Sequence, residues 1–118
     1  MHSKSRVKDQ KNADHYIWGS VCDGWHYFRS DELSVIRECM PPHTSETLHY
    51  HTKSQQFFYV LSGEAGFIIG DETFKVNAGQ GISIAPGEHH RIMNNTDAPL
   101  EFVVISSPKS HGDRIEVE

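Results

Sequence analysis

Residues 43–63, HTSETLHYHTKSQQFFYVLSG, and residues 79–94, GQGISIAPGEHHRIMN, carry the most specific pattern in the chain. In the first stretch a single residue separates His49 from His51. Side chains at i and i+2 of a strand project from one face, so the two imidazoles point the same way. At a rise of ~3.3 Å per residue their Cα atoms stand about 6.7 Å apart. Rings on that spacing converge on one ion held at ~2.1 Å from each nitrogen. Gln56 follows His51 by five residues, and Gly63 follows Gln56 by seven. In the second stretch Gly79 leads to Ala85-Pro86-Gly87, with His90 three residues beyond Gly87 and Asn94 four beyond His90. A lone His-x-His is weak evidence; the two halves together are specific.

Around these stretches the pattern is one of short strands separated by turn residues, with no segment of helical period. Leu33 to Met40 reads as a strand stopped by Pro41-Pro42, and Leu48 to Thr52 as a short one. Gln56 to Leu61, Ala65 to Ile69 and Thr73 to Val76 follow, punctuated by Ser62-Gly63 and Gly70-Asp71. Ile82 to Ile84, His89 to Met93 and Leu100 to Ile105 complete the series. Strands at this spacing, divided by Gly, Asn and Pro, predict an all-β fold, a sandwich or a single small antiparallel β-barrel. Phe58, Phe67, Ile69, Ile84, Ile92, Phe102 and Val104 are its expected apolar interior. Tyr16, Trp18, Trp25, Tyr27 and Phe28 form an aromatic lead-in expected to pack over one end of the body.

The two-part arrangement resembles the cupin family. Its first motif reads Gly-(x5)-His-x-His-(x3 or 4)-Glu-(x6)-Gly and its second Gly-(x5)-Pro-x-Gly-(x2)-His-(x3)-Asn. Here His43 stands at the first Gly, Gln56 at the acid and Ala85 at the proline. The resemblance covers residues 43–94 and, with flanking strands, about 32–106. It implies a jelly roll of the double-stranded β-helix kind. It also implies one divalent transition metal ion, Fe, Ni, Mn, Cu or Zn, on His49, His51 and His90. Gln56 is then either a fourth ligand through its amide oxygen or a hydrogen-bond partner of a metal-bound water. Three imidazoles and an amide leave the ion's charge uncompensated, which favours an anionic ligand and strong polarisation of bound water.

Two residues are candidates for a catalytic base, Tyr27 and His43. Six residues before His49, His43 lies about 20 Å along an extended chain and cannot share its ion; Pro41-Pro42 puts it on a rim loop. His26 is expected to pack, His89 to face solvent and Asn94 to form a turn. Glu46, Glu64, Asp71, Glu72 and Glu88 fall in turns and read as solvating charge. Cys22 and Cys39 lack the spacing of a zinc or redox pair and read as small core residues.

The chain has 118 residues, 11 basic against 16 acidic side chains and a net charge of −5. Its length suits one domain. The negative balance and the lack of a basic run argue against nucleic acid, and no apolar run approaches the ~20 residues of a membrane span. Residues 1–14 read as a flexible arm, 15–106 as the barrel and 107–118 as a polar tail that covers an edge or floats. The first residues have no apolar stretch of a secretory leader, so a cytoplasmic location is expected. Exposed sheet edges favour a homodimer. The expected function is a metalloenzyme acting on a small organic molecule, dioxygenase chemistry being favoured over isomerase or lyase chemistry. The competing reading is a barrel that binds or senses a small ligand or metal without turnover.

Overall fold

A computed structural model describes residues 6–117; the first five residues of the expected arm lie outside them. The strands in chain order are β1 (Asp14–Trp18), β2 (Cys22–Arg29), β3 (Ser34–Met40), β4 (Thr44–Ser45), β5 (His49–His51) and β6 (Gln55–Ser62). They continue as β7 (Glu64–Ile69), β8 (Glu72–Asn77), β9 (Gly81–Ile84), β10 (His90–Asn94), β11 (Leu100–Ser107) and β12 (Arg114–Glu116). Two antiparallel sheets result, one in the order β1-β2-β3-β11-β6-β9 and the other β12-β5-β10-β7-β8, with β4 added to β10. The sheets face one another and stay open at their edges, so the body is a jelly roll of the double-stranded β-helix kind. Among the described residues no helix is long and apolar enough to cross a membrane.

Period-two burial explains how an apolar run can serve both faces of one sheet. In β6, Gln56, Phe58 and Val60 point inward, whereas Phe57, Tyr59 and Leu61 point out. β3 and β11 alternate likewise, burying Ile36 and Met40 on one and Leu100, Phe102 and Val104 on the other. Phe58 meets Phe67 edge-on at 5.1 Å and Phe102 at 5.7 Å, joining the sheets through aromatic contacts. The inward row Ser34, Ser106 and Gln56, by contrast, is polar. The core therefore fills one half of the sandwich and leaves the other available for a cavity.

Asn94 fixes the turn after β10. Fully buried, it donates from Nδ2 to the carbonyls of Met40, Pro41 and Ala98 and accepts at Oδ1 from the backbone and hydroxyl of Thr96. The turn between β6 and β7 needs Gly63, which adopts φ 86° and whose added Cβ would fall 2.5 Å from the Pro99 carbonyl oxygen.

Two segments outside the central strands join the sheets. The aromatic lead-in forms the β1–β2 hairpin, β2 extends the first sheet by pairing with β3, and Tyr16 and Trp18 pack against the core. The tail covers an edge, since Arg114, Ile115 and Glu116 pair with His51, Tyr50 and His49. Asp113 holds this return in place by accepting from the backbones of Lys53 and Ser54 and from the Thr52 hydroxyl. Cys22 and Cys39 are both free thiols.

Candidate metal centre and cavity

Strand pairing brings the three histidines together. His49 and His51 project from one face of β5, and His90 at the start of β10 is the direct cross-strand partner of His49. All three are buried. Ring centroids are 4.3 Å apart for His49 and His90, 5.1 Å for His49 and His51 and 5.8 Å for His51 and His90. One nitrogen from each lies within 4.8 Å of the other two, close to the span set by one ion held at ~2.1 Å.

The hydrogen bonds leave the right atoms free. His49 donates from Nδ1 to the Thr47 carbonyl and His90 from Nδ1 to the Glu88 carbonyl, each at 2.9 Å. Those bonds fix the tautomer and leave a lone pair on each Nε2, the second-layer arrangement typical of metal-bound imidazole. Gln56 donates from Nε2 to Ser106 Oγ at 3.0 Å, while Gln56 Oε1, His51 Nδ1 and His90 Nε2 are buried without a hydrogen-bond partner. Burial also pushes His49 down to about 3 and His90 to about 4, and lowers His51. The imidazoles are therefore neutral, the form that ligates metal. Three neutral imidazoles and an unpartnered amide oxygen fit a divalent transition ion.

A cavity of about 280 Å³ opens beside this cluster, lined in part by His49, His51 and Gln56. Ile36, Phe58 and Val104 supply its apolar wall, and Tyr16 and Trp18 lie across β1. Ser110, His111, Gly112 and Arg114 close it from the returning tail. Two carboxylates, Glu38 and Glu46, also face it. Burial raises Glu38 to about 8, against the hydrogen bond from Tyr16, and Glu46 to about 7, against the nearby charge of Arg114. Burial and the neighbouring Glu38 raise Tyr16 in turn.

Glu46 corrects the sequence reading, which left it as solvating charge in a turn. Pairing of β4 with β10 carries the chain inward, and the Glu46 amide donates to the Ile92 carbonyl. Its Oε1 accepts from the Ile92 amide at 3.1 Å, its Oε2 lies 3.7 Å from Arg114, and its side chain is only 11% exposed.

The two residues considered as bases lie away from the cavity. Tyr27 sits at the irregularity of β2 between His26 and Phe28, and it hydrogen-bonds Arg37. The backbone of His43 turns with φ 59°, and its exposed ring bonds Asp97 at 2.7 Å. His89 is exposed and stacks on Tyr50 at 4.8 Å, and His26 packs against Tyr16 and His111. Tyr16, Glu38 and Arg114 belong to no motif. They reach the cavity through pairings of β1, β3 and β12 that only the assembled sheets reveal.

The family described as Cupin domain matches residues 36–106. The uncharacterized protein MJ1618 of Methanocaldococcus jannaschii is 30% identical over 87 residues, 73% of this chain and 70% of that protein. The oxalate-binding protein of Thermotoga maritima is 32% identical over 66 residues, 56% of this chain and 54% of that protein, about half its length. Among solved structures, a double-stranded β-helix protein from Klebsiella pneumoniae superposes with a TM-score of 0.81 at 22% identity, covering 98% of this chain and 99% of that one.

Proposed function

Because the chain belongs to the cupin domain family, we propose that it is a metal-dependent enzyme that moves protons on a small organic molecule, an isomerase or lyase. The observation that carries this reading is the presence of acid–base groups and candidate metal ligands in one cavity. His49, His51, His90 and Gln56 would hold a divalent ion, which supplies Lewis-acid polarisation of a bound oxygen. Glu38 and Glu46, both raised toward neutrality by burial, are suited to proton transfer near pH 7. This set favours acid–base chemistry over the oxygen chemistry that the histidines alone suggested.

The same carboxylates change the expected charge of the substrate. An anionic ligand was favoured by a site whose protein ligands are all neutral. Two acids on the cavity wall, against Arg114 alone, weaken that preference where they are ionised and offer hydrogen bonds to neutral polar molecules where they are protonated.

A non-catalytic binding barrel is the second reading, supported by the match to a protein described as oxalate-binding. We further propose that the chain acts as a homodimer in the cytoplasm.

The test is to load metal-free protein with Fe(II), Ni(II), Mn(II), Cu(II) or Zn(II). Each form is incubated with small hydroxy and oxo compounds and followed by NMR with and without air. Conversion that needs metal and persists without oxygen is expected. Conversion only in air would restore dioxygenase chemistry; saturable binding of a compound or metal without turnover would establish the binding barrel.

A further inference from the structure

Three residues form a cross-strand row in the first sheet. Tyr16 on β1 pairs with Gly24 on β2, and Gly24 pairs with Glu38 on β3. Adjacent strands lie ~4.8 Å apart, so a side chain on β1 reaches β3 only by lying flat across β2. Tyr16 does so. A Cβ added to Gly24 would sit 2.4 Å from Tyr16 Cζ and 2.7 Å from its hydroxyl oxygen, a space that only glycine leaves. The Tyr16 hydroxyl then donates to Glu38 Oε2 at 2.9 Å, and both residues line the cavity.

The two cavity acids are therefore held differently. Glu46 uses Oε1 for the Ile92 amide and Oε2 for Arg114 and lies against His49. Glu38 Oε1 accepts no hydrogen bond among the described residues. Around Glu38, β1 presents Tyr16, the segment before β5 presents Glu46 and β12 presents Arg114. Its cross-strand partners, Gly24 and Phe102, carry no charge.

We propose that Glu38 is the proton-transfer residue of this cavity, that Tyr16 positions it across Gly24, and that the substrate is a carbon acid with a C–H beside a carbonyl. The proposal rests on the acid–base reading of the site. The Glu38 carboxylate takes the proton from the carbon next to the carbonyl. The C–H electron pair becomes the C=C of an enolate, and the carbonyl oxygen takes up the negative charge. The Glu38 carboxylic acid then returns its proton to carbon as the carbonyl re-forms. No oxidant or further reactant is consumed. In D2O the Glu38 carboxyl exchanges its proton with solvent before the return, so the hydron delivered to carbon is deuterium.

Metal-loaded protein in D2O is offered pyruvate, 2-oxobutyrate, hydroxyacetone and dihydroxyacetone, and deuterium at the α-carbon is read by NMR. Exchange above the protein-free rate is expected with at least one compound. Glu38→Gln should lower it by about 100-fold or more at unchanged metal content, with partial recovery in Glu38→Asp. Tyr16→Phe should shift the pH–rate profile to higher pH, because loss of a hydrogen bond to the carboxylate makes it more basic; a purely structural role would lower the rate without moving the profile. In metal-free protein, 13C NMR should show the Glu38 carboxyl titrating well above free glutamate and higher still in Tyr16→Phe. Exchange that survives Glu38→Gln, or metal loss in that variant, overturns the assignment to Glu38. An ordinary titration unmoved by Tyr16→Phe overturns the Tyr16–Glu38 pair. A wild-type protein that exchanges none of the four compounds overturns the acid–base reading itself.

Discussion

His90 stands directly opposite His49 where β10 pairs with β5, and their ring centroids are 4.3 Å apart although 40 residues separate them in the chain. The ladder sets the Cα atoms, and the bonds from each Nδ1 to the carbonyl two residues earlier set the rings. The cluster is thus preorganised before any ion arrives. His49→Ala and His90→Ala should each weaken metal binding by more than the 10–100-fold that follows loss of a ligand's hydrogen-bond partner. Calorimetric titration of metal into purified apo-protein checks this, with circular dichroism showing the sheets retained. An affinity unchanged in both variants would mean that the three rings do not share an ion.

Gln56 tests the fourth ligand. Its amide nitrogen is committed to Ser106, which leaves Oε1 buried and unpartnered. Gln56→Glu adds a negative charge at that oxygen, while the Ser106 hydroxyl can turn to donate instead. Direct ligation predicts metal binding tightened by about tenfold or more. If metal content and affinity stay as in the wild type, Gln56 only hydrogen-bonds a metal-bound water.

Asn94 should matter for folding and not for chemistry. Asn94→Ala strips three carbonyls and the Thr96 turn of their partner inside the protein. A loss of about 2–4 kcal/mol is expected, since buried groups left unpaired cost about 1–3 kcal/mol each. Urea denaturation measures it, and metal affinity of the folded fraction should stay within about twofold of wild type.

The strands and the histidines were legible because each rests on local spacing. Alternation fixed which way His49 and His51 point, and the Gly, Pro and Asn turns divided residues 33–105 into eight of the strands observed there, while β1, β2, β4 and β12 were not read as strands. The cavity's acids were not legible, because their position depends on pairing. Nothing local to Glu38 reveals that Tyr16 crosses Gly24 to reach it. Glu46 looked like a turn residue until β4 paired with β10 and drew it inward. Tyr27 and His43 lie outside the cavity lining for the converse reason: irregular backbone at each sends the side chain to Arg37 or Asp97.

The outer face of the first sheet is poor in charge. Phe57, Tyr59, Leu61 and Ile105 are exposed there, and the Arg37–Glu101 pair is neutral as a unit. In a chain of net charge −5, a second copy would meet little like charge along this row. Light scattering should report twice 13.4 kDa for the wild type and 13.4 kDa for Tyr59→Glu. A monomeric wild type would refute the dimer.

Glu38 should also cost stability as pH rises. Its carboxyl is raised from 4.5 to about 8 in the fold, chiefly by burial. Between those values the folded state keeps a proton that the unfolded chain has released, so raising pH through the window favours unfolding. The stability associated with protonated Glu38 is fully present below about 4.5 and lost as pH passes through about 8. Gln at this position has no proton to lose. Glu38→Gln should therefore gain on the wild type between pH 5 and 8, by up to a few kcal/mol at about 1.4 kcal/mol per pH unit. Urea melts of metal-free protein at each pH unit would show it. Parallel curves for the two proteins would mean that Glu38 is hydrated and titrates normally. A variant that is more stable yet slower in proton exchange is the signature of a residue kept for chemistry at the expense of the fold.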